Sequence, residues 1–209
     1  MMRIAREGRP FIIGAVAVLV LLLVLKASIV AAVWLIVTLW VIAFFRDPVP
    51  TGPFDDRLLL APADGKVVSI IETDEPAFFG TTAVRVSIFM NVFDCHVNRY
   101  PAGGVVRFRD YVAGQFGHAA DEKASLANEQ SSVGIETPKG KMLVRQIAGL
   151  VARRIVTDHQ PGQEVRQADR LGMIRFGSRV DLFLPRGTVI RVKVGDRTRV
   201  ASTVVAEWT

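Results

Sequence analysis

The chain has 209 residues, half of them hydrophobic, with 26 basic against 20 acidic side chains and a single cysteine. That length holds one modest domain and an appendage, and a lone Cys95 excludes an internal disulfide and an all-cysteine metal cage. Net charge is +3 through Asp47, −3 from Pro48 to Val144 and +6 from Arg145 to Thr209, so the C-terminal third offers a basic surface suited to anionic lipid headgroups; with no recognition motif beside the arginines, a nucleic-acid partner is not expected.

From Phe11 to Phe45 the sequence is almost wholly apolar, and Lys26 splits it into FIIGAVAVLVLLLVL and ASIVAAVWLIVTLWVIAFF. The second piece reaches the roughly 20 residues that span a bilayer, while the first is short. The expected arrangement of residues 1–47 is a helical hairpin anchor, with one long tilted helix or a re-entrant anchor as the alternatives. Lys26 snorkels at the far surface, and Arg3, Arg6, Arg9 and Arg46 hold both ends on the cytoplasmic face of the cell membrane. A signal peptide fits poorly, because no small-residue cleavage site is clear and a second apolar run follows at once.

FFRDPVPTGPFDDR then reads as a linker that ends the helix. Residues 48–209 are expected to form a compact domain, mainly β and sandwich- or barrel-like, from LLLAPADGKVVSII, AVRVSIFM, GGVVRFRDYVAG, KMLVRQIAGLVARRIV, a strand around Ser178 and TVIRVKVGDRTRVASTVVAEW. Gly195-Asp196 looks like a hairpin turn between two final strands. Only DEKASLANEQ reads as helical. In MNVFDCHVNRYP, Asp94, Cys95 and His96 are adjacent, so on a strand they point to alternate faces and one zinc ion would not collect all three.

RFGSRVDLFLP, residues 175–185, reads as one half-buried strand carrying Ile174, Phe176, Ser178, Val180, Leu182 and Leu184 on its apolar face. Gly177 is anomalous there, since glycine inside a strand marks a bulge or a close approach to the backbone. The bland alternative is a core serine bonded to a neighbouring carbonyl.

No phosphate loop, nucleophile elbow or dinucleotide fingerprint is present. Four short elements remain: RDP at 46–48, PADGKV at 62–67, FDCHVNRYP at 93–101 and RFGSRV at 175–180. In this order behind an apolar anchor, together with GQFGHAADEKASLANEQ, they resemble the phosphatidylserine decarboxylase proenzymes, particularly the short bacterial and archaeal branch. The resemblance implies self-processing, in which the Ser178 hydroxyl attacks the Gly177 carbonyl. An ester forms and is eliminated, and loss of ammonia leaves a pyruvoyl group at the head of residues 178–209, with 1–177 as the other chain. It also implies a Schiff base between that pyruvoyl cofactor and the amine of phosphatidylserine, yielding phosphatidylethanolamine and carbon dioxide, at a site within reach of the bilayer.

By the same resemblance Asp64 matches the acid of an Asp-His-Ser triad, and His96 matches the first histidine of a His-x-x-His pair, with Arg99 where the triad histidine would stand. His96 is then expected to protonate the decarboxylated product, and the base for self-cleavage lies between His96 and His118. His159 is expected on the surface. Arg46, Arg153, Arg154 and Arg179 are candidates for phosphate contacts, and a homo-oligomer is compatible with the sequence. Two other readings are a membrane-anchored β-domain that only binds, which would stay uncleaved, and a pyruvoyl decarboxylase of a soluble amino acid, which gives the anchor no purpose.

Overall fold

The computed structural model describes residues 2–114, 128–149, 154–175 and 178–209. His118, Arg153 and Gly177 lie outside the described residues, as does most of DEKASLANEQ. Two compact units divide the chain, Met1–Val49 and Pro50–Thr209.

The first unit is a hairpin of helices. Strand β1 (Met2–Ile4) and a 3-10 turn (Arg6–Gly8) lead into α1 (Arg9–Val24), which is joined to α2 (Ser28–Phe44) through a turn in which Lys26 has a left-handed φ of 55°. Strand β2 (Arg46–Pro48) returns antiparallel to β1 and sets Arg3 opposite Asp47, so the ends of the hairpin are tied together. Ala15 and Ala31 are buried, small side chains of the kind that let helix backbones approach. The Trp34 indole donates across to the Ala15 carbonyl at 2.8 Å, and Thr38 donates to Trp34 O at 2.9 Å. Polar groups are thereby satisfied internally while Ile13, Ile29 and Ile36 face outward. Helical structure runs on from Arg6 to Val24, 19 residues long and apolar enough to cross a membrane, whereas Ser28–Phe44 is shorter. The first helix reaches that length by including the turn upstream of the apolar run; α1 itself has 16 residues and α2 17.

The second unit is mainly β, as expected, and is built on an eight-stranded sheet curled into a half-barrel. Its strands are β3 (Leu58–Leu60), β4 (Gly65–Glu75), β5 (Thr81–Met90), β6 (Val97–Arg99), β7 (Gly104–Val112), β8 (Gln130–Thr137), β9 (Gly140–Ala148), β10 (Ile155–Thr157), β11 (Glu164–Val165), β12 (Arg170–Ile174), β13 (Ser178–Leu184), β14 (Val189–Ile190), β15 (Arg197–Thr198) and β16 (Val204–Glu207). The large sheet runs β11-β7-β8-β9-β13-β5-β4-β15; β10-β12-β6 and β14-β16-β3 form two smaller sheets. Val86, Ile88, Met90, Val133, Ile135, Val144, Val180, Leu182 and Leu184 share one core with Leu59, Leu171 and Ile174. On the opposite face of the large sheet Phe183, Leu143 and Ala83 pack with Phe78, Phe79 and Phe108.

Four sequence-based expectations change. RFGSRVDLFLP is not one strand: Ile174 ends β12 in one sheet and Ser178 begins β13 in another, so the serine stands at a strand boundary. KMLVRQIAGLVARRIV likewise divides into β9 and β10 in different sheets. Gly195, at φ 102°, does turn the chain, but β14 pairs with β16 and β15 with β4, so no hairpin joins the last strands. Asn128 is a bridge and Gln130 opens β8, which makes the end of DEKASLANEQ extended rather than helical. Tertiary pairing with β7 and β9 overrides local helix propensity there.

Gly65 opens β4 in the PADG turn, where an added Cβ would collide with the Phe89 carbonyl. Gly65→Ala is expected to cost about 1–3 kcal/mol in chemical denaturation, since the paired backbone of β5 cannot yield as a side chain would.

Candidate active site

The site is organised by β13. This strand lies between β5 and β9, with Ser178 opposite Met90 on one side and Ala148 on the other. Because side chains alternate, Ser178, Val180 and Leu182 point into the main core while Arg179, Asp181 and Phe183 point to the far face. Ser178 is fully buried, and its hydroxyl donates to the Met90 thioether at 3.5 Å. A thioether is a weak acceptor and no base at neutral pH, so the partner shown for the hydroxyl among the described residues does not activate it.

A second donor reaches the same sulfur. Asn98 on β6 points its Nδ2 at Met90 Sδ, 3.7 Å away, while its Oδ1 accepts from Gln146 Nε2 at 2.8 Å. Gln146 Oε1 in turn accepts from Thr157 Oγ1 at 3.0 Å, and that hydroxyl lies 2.9 Å from Ser131 Oγ. Asn98 and Gln146 are fully buried. Neither stood out in the sequence, although Gln146 is the uncharged polar residue in the otherwise apolar and basic run KMLVRQIAGL.

His96 is buried just before β6. Its Nδ1 lies 3.0 Å from the Asp94 carbonyl, an acceptor only, which assigns the proton to Nδ1 and makes Nε2 the basic nitrogen. Its own carbonyl accepts from the Ile174 amide at 3.4 Å, so the histidine lies beside the end of β12, four residues before Ser178. Asp64 is used differently from a triad acid: Oδ1 accepts the Val200 amide at 2.7 Å and Oδ2 the Cys95 amide at 3.3 Å. It therefore steers the segment carrying His96 through the main chain. Arg99 donates Nη1 to the Ala168 carbonyl at 2.8 Å and is buried, a structural clamp.

The phosphate candidates separate. Arg179 is buried, with Nε 2.8 Å from Asp181 Oδ1 and Nη2 donating to Oδ2 at 2.9 Å, which places it away from any headgroup. Arg154 is exposed, and Arg46 donates to the Ala43 carbonyl at the end of α2 at 2.8 Å. His159 is half-buried rather than a surface residue, its ring edge-on to Tyr100 at 5.4 Å. Burial pushes the Tyr100 hydroxyl well above the usual phenol range, so it stays protonated.

Comparison with known proteins identifies the family of the chain that carries this buried serine. The family model for phosphatidylserine decarboxylase matches residues 37–206, and the chain belongs to that family. Among similar proteins, the phosphatidylserine decarboxylase proenzyme of Nitrosomonas europaea is 44% identical over 206 residues, covering 98% of this chain and 95% of that one. The proenzyme of the same name from Geobacter metallireducens is 44% identical over 208 residues, covering 97% and 95%. That from Symbiobacterium thermophilum is 43% identical over 203 residues, covering 97% and 94%.

Proposed function

We propose that this chain is a self-cleaving phosphatidylserine decarboxylase held at the cytoplasmic face of the cell membrane by its helical hairpin. The observation that carries the reading is the position of Ser178: fully buried, first in the central strand, and preceded by a change of sheet. A nucleophile aimed at its own preceding peptide bond needs a backbone that can adopt the geometry of attack. Gly177 suits such a bond because it has no side chain to obstruct the hydroxyl.

Cleavage there would give chains 1–177 and 178–209. Strand β13 of the short chain is clasped between β5 and β9, β15 pairs with β4 and β16 with β3. Four ladders therefore hold the two pieces together, which supports a stable heterodimer after processing.

The described surroundings of residue 178 fit a pyruvoyl group: they are buried and uncharged, with Met90 and Ala148 opposite it in the two ladders and the Asn98 amide on the Met90 sulfur. Such a group supplies an electron sink for decarboxylation of an amine substrate. The chain's own residues would exclude water from the carboxylate undergoing loss, hold the substrate amine beside position 178, and return a proton from His96 Nε2. Asp64 serves this arrangement by fixing the backbone at Cys95. The outward apolar side chains of the hairpin match a lipid environment, so the acyl chains of a phospholipid substrate would never leave the bilayer.

The test is carbon dioxide release from carboxyl-labelled phosphatidylserine in mixed vesicles, run beside labelled free serine. Release from the lipid with at most trace release from serine is expected. Equal turnover of free serine, or none of either by a folded chain, contradicts the assignment.

A further inference from the structure

We infer that the β-domain carries a membrane-docking tip of its own, Phe93 and Val194 collared by basic side chains, which seats the Ser178 end of the large sheet on an anionic lipid surface; the inference rests on the lipid-decarboxylase reading above and deepens it. Ser178 opens β13 opposite Met90, the last residue of β5, and the turn 91–94 follows at once. On the other side of β5, Lys66 lies opposite Phe89, and Arg197 of β15 lies opposite Lys66. The chain entering β15 turns at Gly195, whose amide donates to the Val67 carbonyl at 2.8 Å. Turns 91–94 and 193–196 therefore meet at this end, and Arg197 Nη1 ties them by donating to Asp94 Oδ1 at 3.1 Å.

Single exposed apolar side chains are ordinary on a protein surface, but these two sit on turns that are fixed. The Asp94 amide donates to Asn91 O at 3.0 Å, Asp94 Oδ2 accepts the Asn91 amide at 2.9 Å, and Asn91 Oδ1 accepts the Phe93 amide at 2.8 Å. Phe93 is 71% exposed on that turn. In the neighbouring turn the Lys193 amide donates to Asp196 Oδ2 at 3.0 Å, and Val194 is 59% exposed. Around them Lys66, Lys193, Arg197 and Arg199 are exposed, while the two acids, Asp94 and Asp196, are half-buried and bonded back into the turns. An apolar tip with an excess of cations around it matches the boundary between acyl chains and anionic headgroups.

The placement has a chemical reason. Phosphatidylserine carries its amine and carboxylate only a few bonds from the phosphate, so the decarboxylating group must come within a headgroup's length of the bilayer. Phe93 lies three residues after Met90, a span of at most about 11 Å. Insertion of its ring thus brings the ladder position opposite Ser178 close to the headgroups.

The test uses the full-length, processed protein in lipid nanodiscs holding one chain each. An environment-sensitive fluorophore is attached through Phe93→Cys or, as a control, through Lys139→Cys in the turn between β8 and β9, at the end of the sheet away from Ser178; Cys95 is fully buried and stays unlabelled. The probe at 93 is expected to shift to the blue, and further in discs containing phosphatidylglycerol than in phosphatidylcholine alone, while the probe at 139 keeps its aqueous wavelength. The double variant Phe93→Ser with Lys193→Glu should be cleaved like wild type and turn over phosphatidylserine in bilayers about tenfold more slowly. Its turnover of a short-chain, monomeric phosphatidylserine should match wild type. An aqueous wavelength at 93 in the anionic discs, wild-type turnover in bilayers, or equal slowing on both lipids overturns the docking tip and leaves the decarboxylase standing. A shift seen only in discs holding two chains makes the partner a second copy and overturns it as well. Wild-type protein that turns over neither lipid overturns the functional reading, whereas the fluorescence decides the docking by itself.

Discussion

Ser178→Ala is expected to leave a single folded chain of 209 residues with no decarboxylase activity above background. The substitution removes one hydroxyl whose described bond is to a thioether, so its stability cost should stay within about 1 kcal/mol. Loss of activity without loss of fold is what separates a reacting serine from a core serine. Cleavage, followed on a denaturing gel, should vanish together with carbon dioxide release. A Ser178→Ala chain that still decarboxylates phosphatidylserine would place the chemistry elsewhere.

The second large effect lies three residues further along the same strand. Asp181 is fully buried between two guanidiniums, Arg179 at 2.8 Å and Arg85 at 4.0 Å. Asp181→Ala withdraws the carboxylate that both cations face, and breaking a buried pair in this way costs about 3–5 kcal/mol. For a domain whose whole stability is on the order of 5–15 kcal/mol, the denaturation midpoint should fall sharply and cleavage should slow, because β13 carries Ser178 at its head. Replacing the pair together, Arg179→Met with Asp181→Leu, should recover most of the loss, since no uncompensated charge remains at the pair itself. Equal instability of the double variant would mean that Arg85 depends on Asp181 more than Arg179 does.

The helical hairpin was legible because an apolar run broken by one lysine has few other structures open to it. Most strands were legible from alternation and turns. Strand β8 was missed because QSSVGIET is buried along most of its length and carries polar residues at Ser131 and Ser132, so it lacks the in–out pattern that marks an exposed sheet. The break before Ser178 was hidden for a related reason: β13 is buried at every position, and its composition runs smoothly into the apolar end of β12. Ser178 itself was marked by the glycine beside it and by the family resemblance. Asp64 and Arg99 were visible as charged residues in motifs, but their bonds to main-chain groups of Cys95, Val200 and Ala168 depend on segments distant in sequence. Asn98 and Gln146 come together only through the crossing of two sheets, which no local pattern encodes.

The central claim is most directly tested by the intact mass of the purified wild-type protein under denaturing conditions. The account predicts two polypeptides, residues 1–177 and residues 178–209, the smaller lighter by one ammonia than a serine-headed fragment and refractory to N-terminal sequencing. A single folded chain with the full mass of 209 residues would contradict it, and would return Ser178 to the core of a membrane-anchored binding domain.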